Sequence, residues 1–303
     1  MSFSNYSNGI TSMGVPILGG SIPTTTGAYY FVDSNTGSDG NSGSDKDNAV
    51  ATIAKAFDKV TASKGDVILL MPGHAETLTA AIDGFDVAGV TVYGLGYGNL
   101  RPTLTGNGTI DVIDVSAANI TIANILFAAP STDAQTADIN VGAAGCTILN
   151  TEHVGSATSK NKVDIITLTS AANNCLIDGV RVRNTVVEVV AGIAFEGQCS
   201  NVEIRNCYVF DSIGFTNGAL ADETTVTNLY VHNNVFKNAK AGTVVLDFAT
   251  GNSTGACSFN HISGRHTTLA SNVGAGTGMD FFENRVVEQA AVNGAIIPGA
   301  DTD

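Results

Sequence analysis

Asp178, Arg181, Glu203 and Arg205 stand in two short segments and have the best claim to chemistry in this chain. Two carboxylates flanking a glycosidic bond can cleave it by acid–base catalysis, and a basic side chain beside an acidic sugar can support elimination. Arg181 and Arg183 alternate on one face of a strand, and Arg205 follows one repeat later, so with Asp178 and Glu203 they form a mixed-charge patch. The same pattern describes a surface ladder of ion pairs, which adds solubility and little stability. The ladder is the reading adopted here. No catalytic residue is assigned, and the chain is expected not to be an enzyme. Asp178, Glu203, Arg181 and Arg205 are the set on which catalysis would fall if it were one.

Other clusters carry less. The loop with Asp33, Asn35 and Asp39 has oxygen ligands at close spacing, as a calcium loop would. It lacks the EF-hand order and its terminal Glu, so no metal is expected and these three are the residues calcium would take. His74, His153, His232, His261 and His266 are scattered, which suits solvated or turn-bonded rings better than a zinc site. No Ser-His-Asp set, P-loop or dinucleotide fingerprint is legible, and no cofactor is expected. The chain has no Trp and 7 Tyr, which argues against a glycan-binding groove.

The net charge of −14 disfavours nucleic acid as a partner, because phosphate neutralisation needs clustered Lys and Arg and only 14 are present. No segment approaches a membrane span, and the N-terminus lacks a basic region followed by an apolar stretch, so no membrane partner and no export signal are expected. Cys146, Cys175, Cys207 and Cys257 lie in strand-like apolar contexts without C-x-x-C spacing. They read as small core residues assembled in a reducing cytoplasm.

The elements that hold these residues repeat. Ile139, Ile166, Ile193 and Leu220 are each 27 residues apart, and Leu246 follows 26 later. A second ladder, with Ile120, Cys146, Cys175, Val202, Leu229 and Cys257, keeps step and closes on Asn124, Asn150, Gly179, Asn206, Asn233 and His261. Period-2 strands ended by Asn or Gly, in a unit of this length, make one coil of a parallel β-helix. Asn tolerates the left-handed backbone of a sharp corner, and Gly adopts it without strain. The expected fold is therefore all-β: a three-sheet, single-stranded, right-handed parallel β-helix over residues 29–290. An extended arm over 1–28 precedes it and a tail over 291–303 follows. Ile53, Phe57 and Val60 predict a short helix over about 50–63, capped by Asp47 or Asn48, that covers the open end of the core.

The run over residues 30–73 consists of a strand, Gly-Ser-Asp-Gly-Asn-Ser-Gly, then Ala-Thr-Ile-Ala-Lys-Ala-Phe, then Gly-Asp-Val-Ile-Leu-Leu-Met-Pro-Gly. It resembles the N-terminal signature of the pectin-lyase-like right-handed parallel β-helix superfamily. That superfamily contains polysaccharide lyases, hydrolases, phage tailspikes and non-enzymatic virion proteins. The leader with Gly14-Val-Pro-Ile-Leu resembles that of virion β-helix proteins of tailed phages, particularly those of the head. The resemblance implies a capsid decoration or cement protein on the virion surface, assembled in the host cytoplasm. It also implies a homotrimer seated on the major capsid protein. Met13, Val15, Pro16, Ile17 and Leu18 are the apolar residues expected to anchor it. The alternative is a tailspike-type polysaccharide depolymerase or lyase.

Overall fold

In a computed structural model the chain is described over residues 23–82, 84–130, 135–155, 162–184, 189–266 and 270–288. Backbone alone is described at 11–12, 15–16, 294–297 and a few strand-end positions. The architecture is a parallel β-helix with three long sheets, right-handed as parallel crossovers are. Sheet I has ten strands, running from Tyr29–Val32 to Gly278–Phe282. Sheet II also has ten, from Ala75–Leu78 to Gly294–Ile297, and sheet III has seven, from Asp111–Val115 to Val273–Gly274.

The 27-residue spacing is the coil. Ile139 pairs with Ile166, Ile166 with Ile193, Ile193 with Leu220 and Leu220 with Leu246, all in parallel register. In sheet I the inward column is Ile122, Ile148, Ile177, Ile204, Val231 and Cys257. Cys257 thus pairs with Val231, one alternation away from the alignment with Leu229 that the sequence suggested. Sheet II adds Phe127, His153, Val182, Val209, Phe236, Ile262 and Val286. These columns merge into one continuous apolar core, and all five cysteines are free and buried. No single coil could bury its own inner face, so the stack is the unit of stability.

The sheet I to sheet II corner needs one residue with positive φ. Asn124, Asn150, Gly179, Asn206 and Asn233 supply it, as expected, with φ between 51° and 68°. At Gly179 the glycine is required rather than merely tolerated, because a Cβ would lie 2.3 Å from Asn150 Oδ1. The next corner departs from the sequence reading: Phe259, not His261, takes it, at φ 55°. His261 belongs to the following strand, His261–Arg265.

The N-terminal helix is shorter than predicted, Ile53–Phe57, and Thr52 Oγ1 caps it by accepting from Lys55 N. Asp45 caps a separate 3-10 turn at Lys46–Asn48, so neither Asp47 nor Asn48 serves the helix. Ile53, Ala56 and Phe57 are buried against the first coil, with Phe57 tilted on Phe85 at 4.7 Å between ring centres. Met13, Ile17 and Leu18 lie outside the described residues. Of the arm, Thr11–Ser12 pairs antiparallel with Val15–Pro16.

Candidate functional site: an outer groove along the asparagine corner

Outward side chains flank the asparagine corner on both sheets, and over the earlier coils they line a common depression. On sheet I the column nearest the corner runs Tyr93, Ala123, Leu149, Asp178, Arg205, His232, Ser258, Phe282. On sheet II it runs Thr103, Leu126, Glu152, Arg181, Tyr208, Val235, His261, Arg285. Parallel register puts each member one strand spacing, about 4.8 Å, from the next.

A cavity of about 310 Å³ opens at the N-terminal end of this groove, lined among others by Tyr93, Tyr97, Arg101, Glu152 and Arg181. Glu152 accepts from Arg101 Nη1 at 2.9 Å and also from Arg183 Nη2. Arg101 Nε is buried and has no partner among the described residues. Arg181 stands beside Glu152 in register, yet forms no ion pair among the described residues. Its guanidinium lies over the Tyr208 ring at 5.7 Å. Three guanidiniums thus surround one carboxylate in a chain whose net charge is −14. Burial, and then Tyr97, pushes the Tyr93 hydroxyl above its ordinary pKa, so it is a neutral donor here.

The adjoining coils carry an ion-pair network. Arg205 donates from Nε to Asp178 Oδ2 at 2.9 Å and from Nη1 to Glu203 Oε1 at 2.8 Å. His232 Nε2 meets the same Glu203 oxygen at 2.9 Å, and the Asn233 amide meets Nδ1 at 2.9 Å. An amide N–H can only donate, so Nδ1 accepts and Nε2 donates to Glu203. The His232 hydrogen bond, acting against partial burial and joined by Arg205, holds Glu203 below the usual carboxylate range. Glu203 is therefore an ionised acceptor and not a proton donor.

The structure brings together Asp178, Glu203 and Arg205 from the sequence-derived set. Arg181 lies across the corner on the other sheet, where its register neighbours are Glu152 and Tyr208. The expectation that Arg205 continues the Arg181 level therefore fails. His232 stacks on Tyr230 at 4.2 Å rather than on His261. The composition argument against a glycan groove fails as well: Tyr93, Tyr97, Tyr208 and Tyr230, four of the 7 tyrosines, lie on this one outer surface.

Arg101, Glu152, Tyr93 and Tyr97 were missed by sequence reasoning. Glu152 had a signal, since it stands two positions after the corner Asn150, where Arg181 follows Gly179. Arg101 had none, lying outside the repeating strands at the end of the 3-10 turn Gly98–Leu100.

The calcium candidates do not converge. Asp33 accepts from Asn35 N and Thr36 Oγ1, Asn35 donates to Gly73 O, and Asp39 accepts from Ala51 N and Thr52 N. The aspartate oxygens tie the loop to itself, and the Asn35 amide N–H ties it to the first coil. Among the described residues no group of three His, Cys, Asp or Glu is placed to hold a metal ion.

A second charged cluster is buried in the coil wall. Asp138 Oδ2 accepts from Lys162 Nζ at 2.7 Å and lies 2.9 Å from His153 Nδ1, while Oδ1 accepts from Gln135 Nε2 at 2.6 Å. Burial lowers the pKa of both Lys162 and His153. Against the opposing pull of its own burial, Lys162 and His153 keep Asp138 ionised. His153 and Lys162 are fully buried, so the expectation of solvated or turn-bonded histidines fails at His153.

No family model and no curated protein matches the chain. Solved structures do. A rhamnogalacturonan lyase matches with a TM-score of 0.46 and 15% identity over 90% of this chain and 80% of its own. A pectate lyase matches at 0.49 and 15% over 88% and 78%. A lacto-N-biosidase from Eubacterium ramulus matches at 0.41 and 10% over 85% and 67%. All three are enzymes and stand against the expectation that this chain is not one, although what such a likeness carries to this chain is the fold alone. What the chain shares with them is the parallel β-helix fold.

Proposed function

We propose that the chain is a polysaccharide-degrading β-helix of the tailspike type, which binds an acidic glycan in the outer groove. The observation that carries this reading is the cavity at Arg101, Glu152 and Arg181. It holds a surplus of guanidinium groups on an otherwise acidic protein, with one donor unpartnered and one guanidinium without a carboxylate among the described residues. A uronate carboxylate fits that surplus. Guanidinium pairs with carboxylate are short and often bidentate, and neutralising a uronate carboxylate acidifies the adjacent C–H bond. Elimination is favoured over hydrolysis. Hydrolysis needs one protonated and one ionised carboxyl group about the bond, whereas Asp178 and Glu203 are both clasped by Arg205.

The test is incubation with polygalacturonate, alginate and hyaluronan, following ultraviolet absorbance of unsaturated ends beside total reducing ends. Arg181→Ala should reduce turnover about a hundredfold or more without lowering the thermal midpoint. Absence of new ends on all three polymers, or full activity in Arg181→Ala, would count against the assignment. Placement on a tailed-phage particle, trimerisation and seating on the major capsid protein are further proposals, carried by the sequence resemblance alone.

A further inference from the structure

At the sheet I to sheet II corner, five coils use Asn or Gly for the left-handed backbone and the last two use Phe259 and Glu283. Left-handed backbone is strained for residues with a Cβ, least for Asn, and a bulky residue there is an outlier. Burial does not offset that strain, because Phe259 is 50% exposed. Its ring meets Phe282 edge-on at 5.9 Å, and Phe282 is 39% exposed. One coil earlier Tyr230 is 39% exposed and stacked on His232. A strained residue that exposes an aromatic ring is better explained by what it binds than by what it packs against.

We infer that Phe259, Phe282 and Tyr230 form a second carbohydrate subsite, a platform for the apolar face of a pyranose ring in the same bound glycan. This rests on the glycan reading of the groove. Continuity singles out a sugar over a protein partner: Phe282 ends the same outward column that begins at Tyr93 and passes through Asp178, Arg205 and His232. The corner of Phe259 lies three coils beyond that of Gly179, about 14 Å at the strand spacing of a sheet. A chain of a few sugar units held at Arg181 would reach it. His232 and Asn233 supply polar groups beside the rings.

Phe259→Asn installs the residue that four earlier coils use at this corner, so fold and function should respond in opposite directions. Its thermal midpoint should equal or exceed that of the parent protein. Its affinity for oligosaccharides of about eight units should drop about tenfold, while fragments of about two units, which fill only the arginine cavity, bind as before. Calorimetric titration of oligogalacturonides, alginate and hyaluronan fragments of both lengths reads this out. Phe259→Tyr should keep the long-chain affinity, and Phe282→Ala should lose it.

If Phe259→Asn lowers the midpoint, Phe259 is there for packing and the platform is overturned. If long and short fragments bind both proteins alike, the platform is overturned and the arginine cavity stands. If the parent protein binds no fragment of either length, the glycan reading falls and the platform falls with it, leaving the aromatic cluster as a protein-docking surface.

Discussion

The first and second halves of the coil stack solve the same two problems differently. The interior position just after the asparagine corner is Ile125, Thr151, Val180 and Cys207 in the first half, but Asn234, Asn260 and Asn284 in the second. Those three amides form a buried ladder: Asn234 accepts from Cys207 N, Asn260 from Asn234 N and Asn284 from Asn260 N. Each also donates to a backbone carbonyl, Ile204, Val231 and Cys257 respectively. The exterior changes in parallel, from a charged cavity to exposed aromatic rings. Backbone period sets the frame, and each column of the frame can exchange its chemistry without moving its neighbours.

The largest expected effect tests the buried ions of the first half. Lys162→Met should cost about 3 to 5 kcal/mol in denaturant unfolding, because it strands the Asp138 carboxylate without a counter-ion. The double change Lys162→Met with Asp138→Leu should recover most of that loss. A single change costing under about 1 kcal/mol would show that the cluster carries no stability.

In the second half the corresponding probe is Asn260→Ala, which removes the middle rung and orphans groups on both sides. A loss of about 2 to 3 kcal/mol is expected, smaller than at Lys162 because the orphaned groups are neutral. Equal losses at the two positions would erase the contrast between ionic and amide interiors.

Gly179→Ala adds a Cβ against Asn150 at a left-handed position and should cost about 2 kcal/mol. Its counterpart, Phe259→Asn, should cost nothing. Should both substitutions destabilise equally, the corner geometry of the two halves would be equivalent after all.

The smallest effect depends on pH. Burial, reinforced by Glu196 and Glu223, pushes the Asp164 carboxyl up to about 7, although it accepts from Ala191 N. The fold therefore favours the protonated form. Stability from this group is intact near pH 4 and is lost as pH rises from the ordinary carboxylate range through about 7. Asp164→Asn should leave the thermal midpoint unchanged at pH 4 and raise stability by about 1 kcal/mol or more at pH 8. A rise of equal size at both pH values would assign the effect to packing.

The coil was legible because each core column repeats one type of side chain at one spacing, and a repeat is visible without knowing where the chain turns in space. The asparagine corner was legible for the same reason. Phe259 was not, since nothing in its type announces a left-handed backbone, and His261 was the nearer match to the expected polar turn residue. The groove was only half legible: Asp178, Glu203 and Arg205 fall together because they lie on one sheet, while Arg181 reads as their neighbour and faces Glu152 across the corner. Alternation tells inside from outside, but not which of two sheets an outward residue belongs to. The Asp138, His153 and Lys162 partnership was missed because Asp138 and His153 sit on strands of two different sheets and Lys162 lies outside the repeating strands.

The last strand of sheet II has a consequence for self-association. Every pairing between successive coils is parallel, so an uncovered final coil would offer an edge on which a second molecule could continue the winding. Gly294–Ile297 instead runs antiparallel along 284–287. Its outer edge points the wrong way for another coil of the same hand, so end-to-end growth into a filament is opposed on this sheet by chain direction itself.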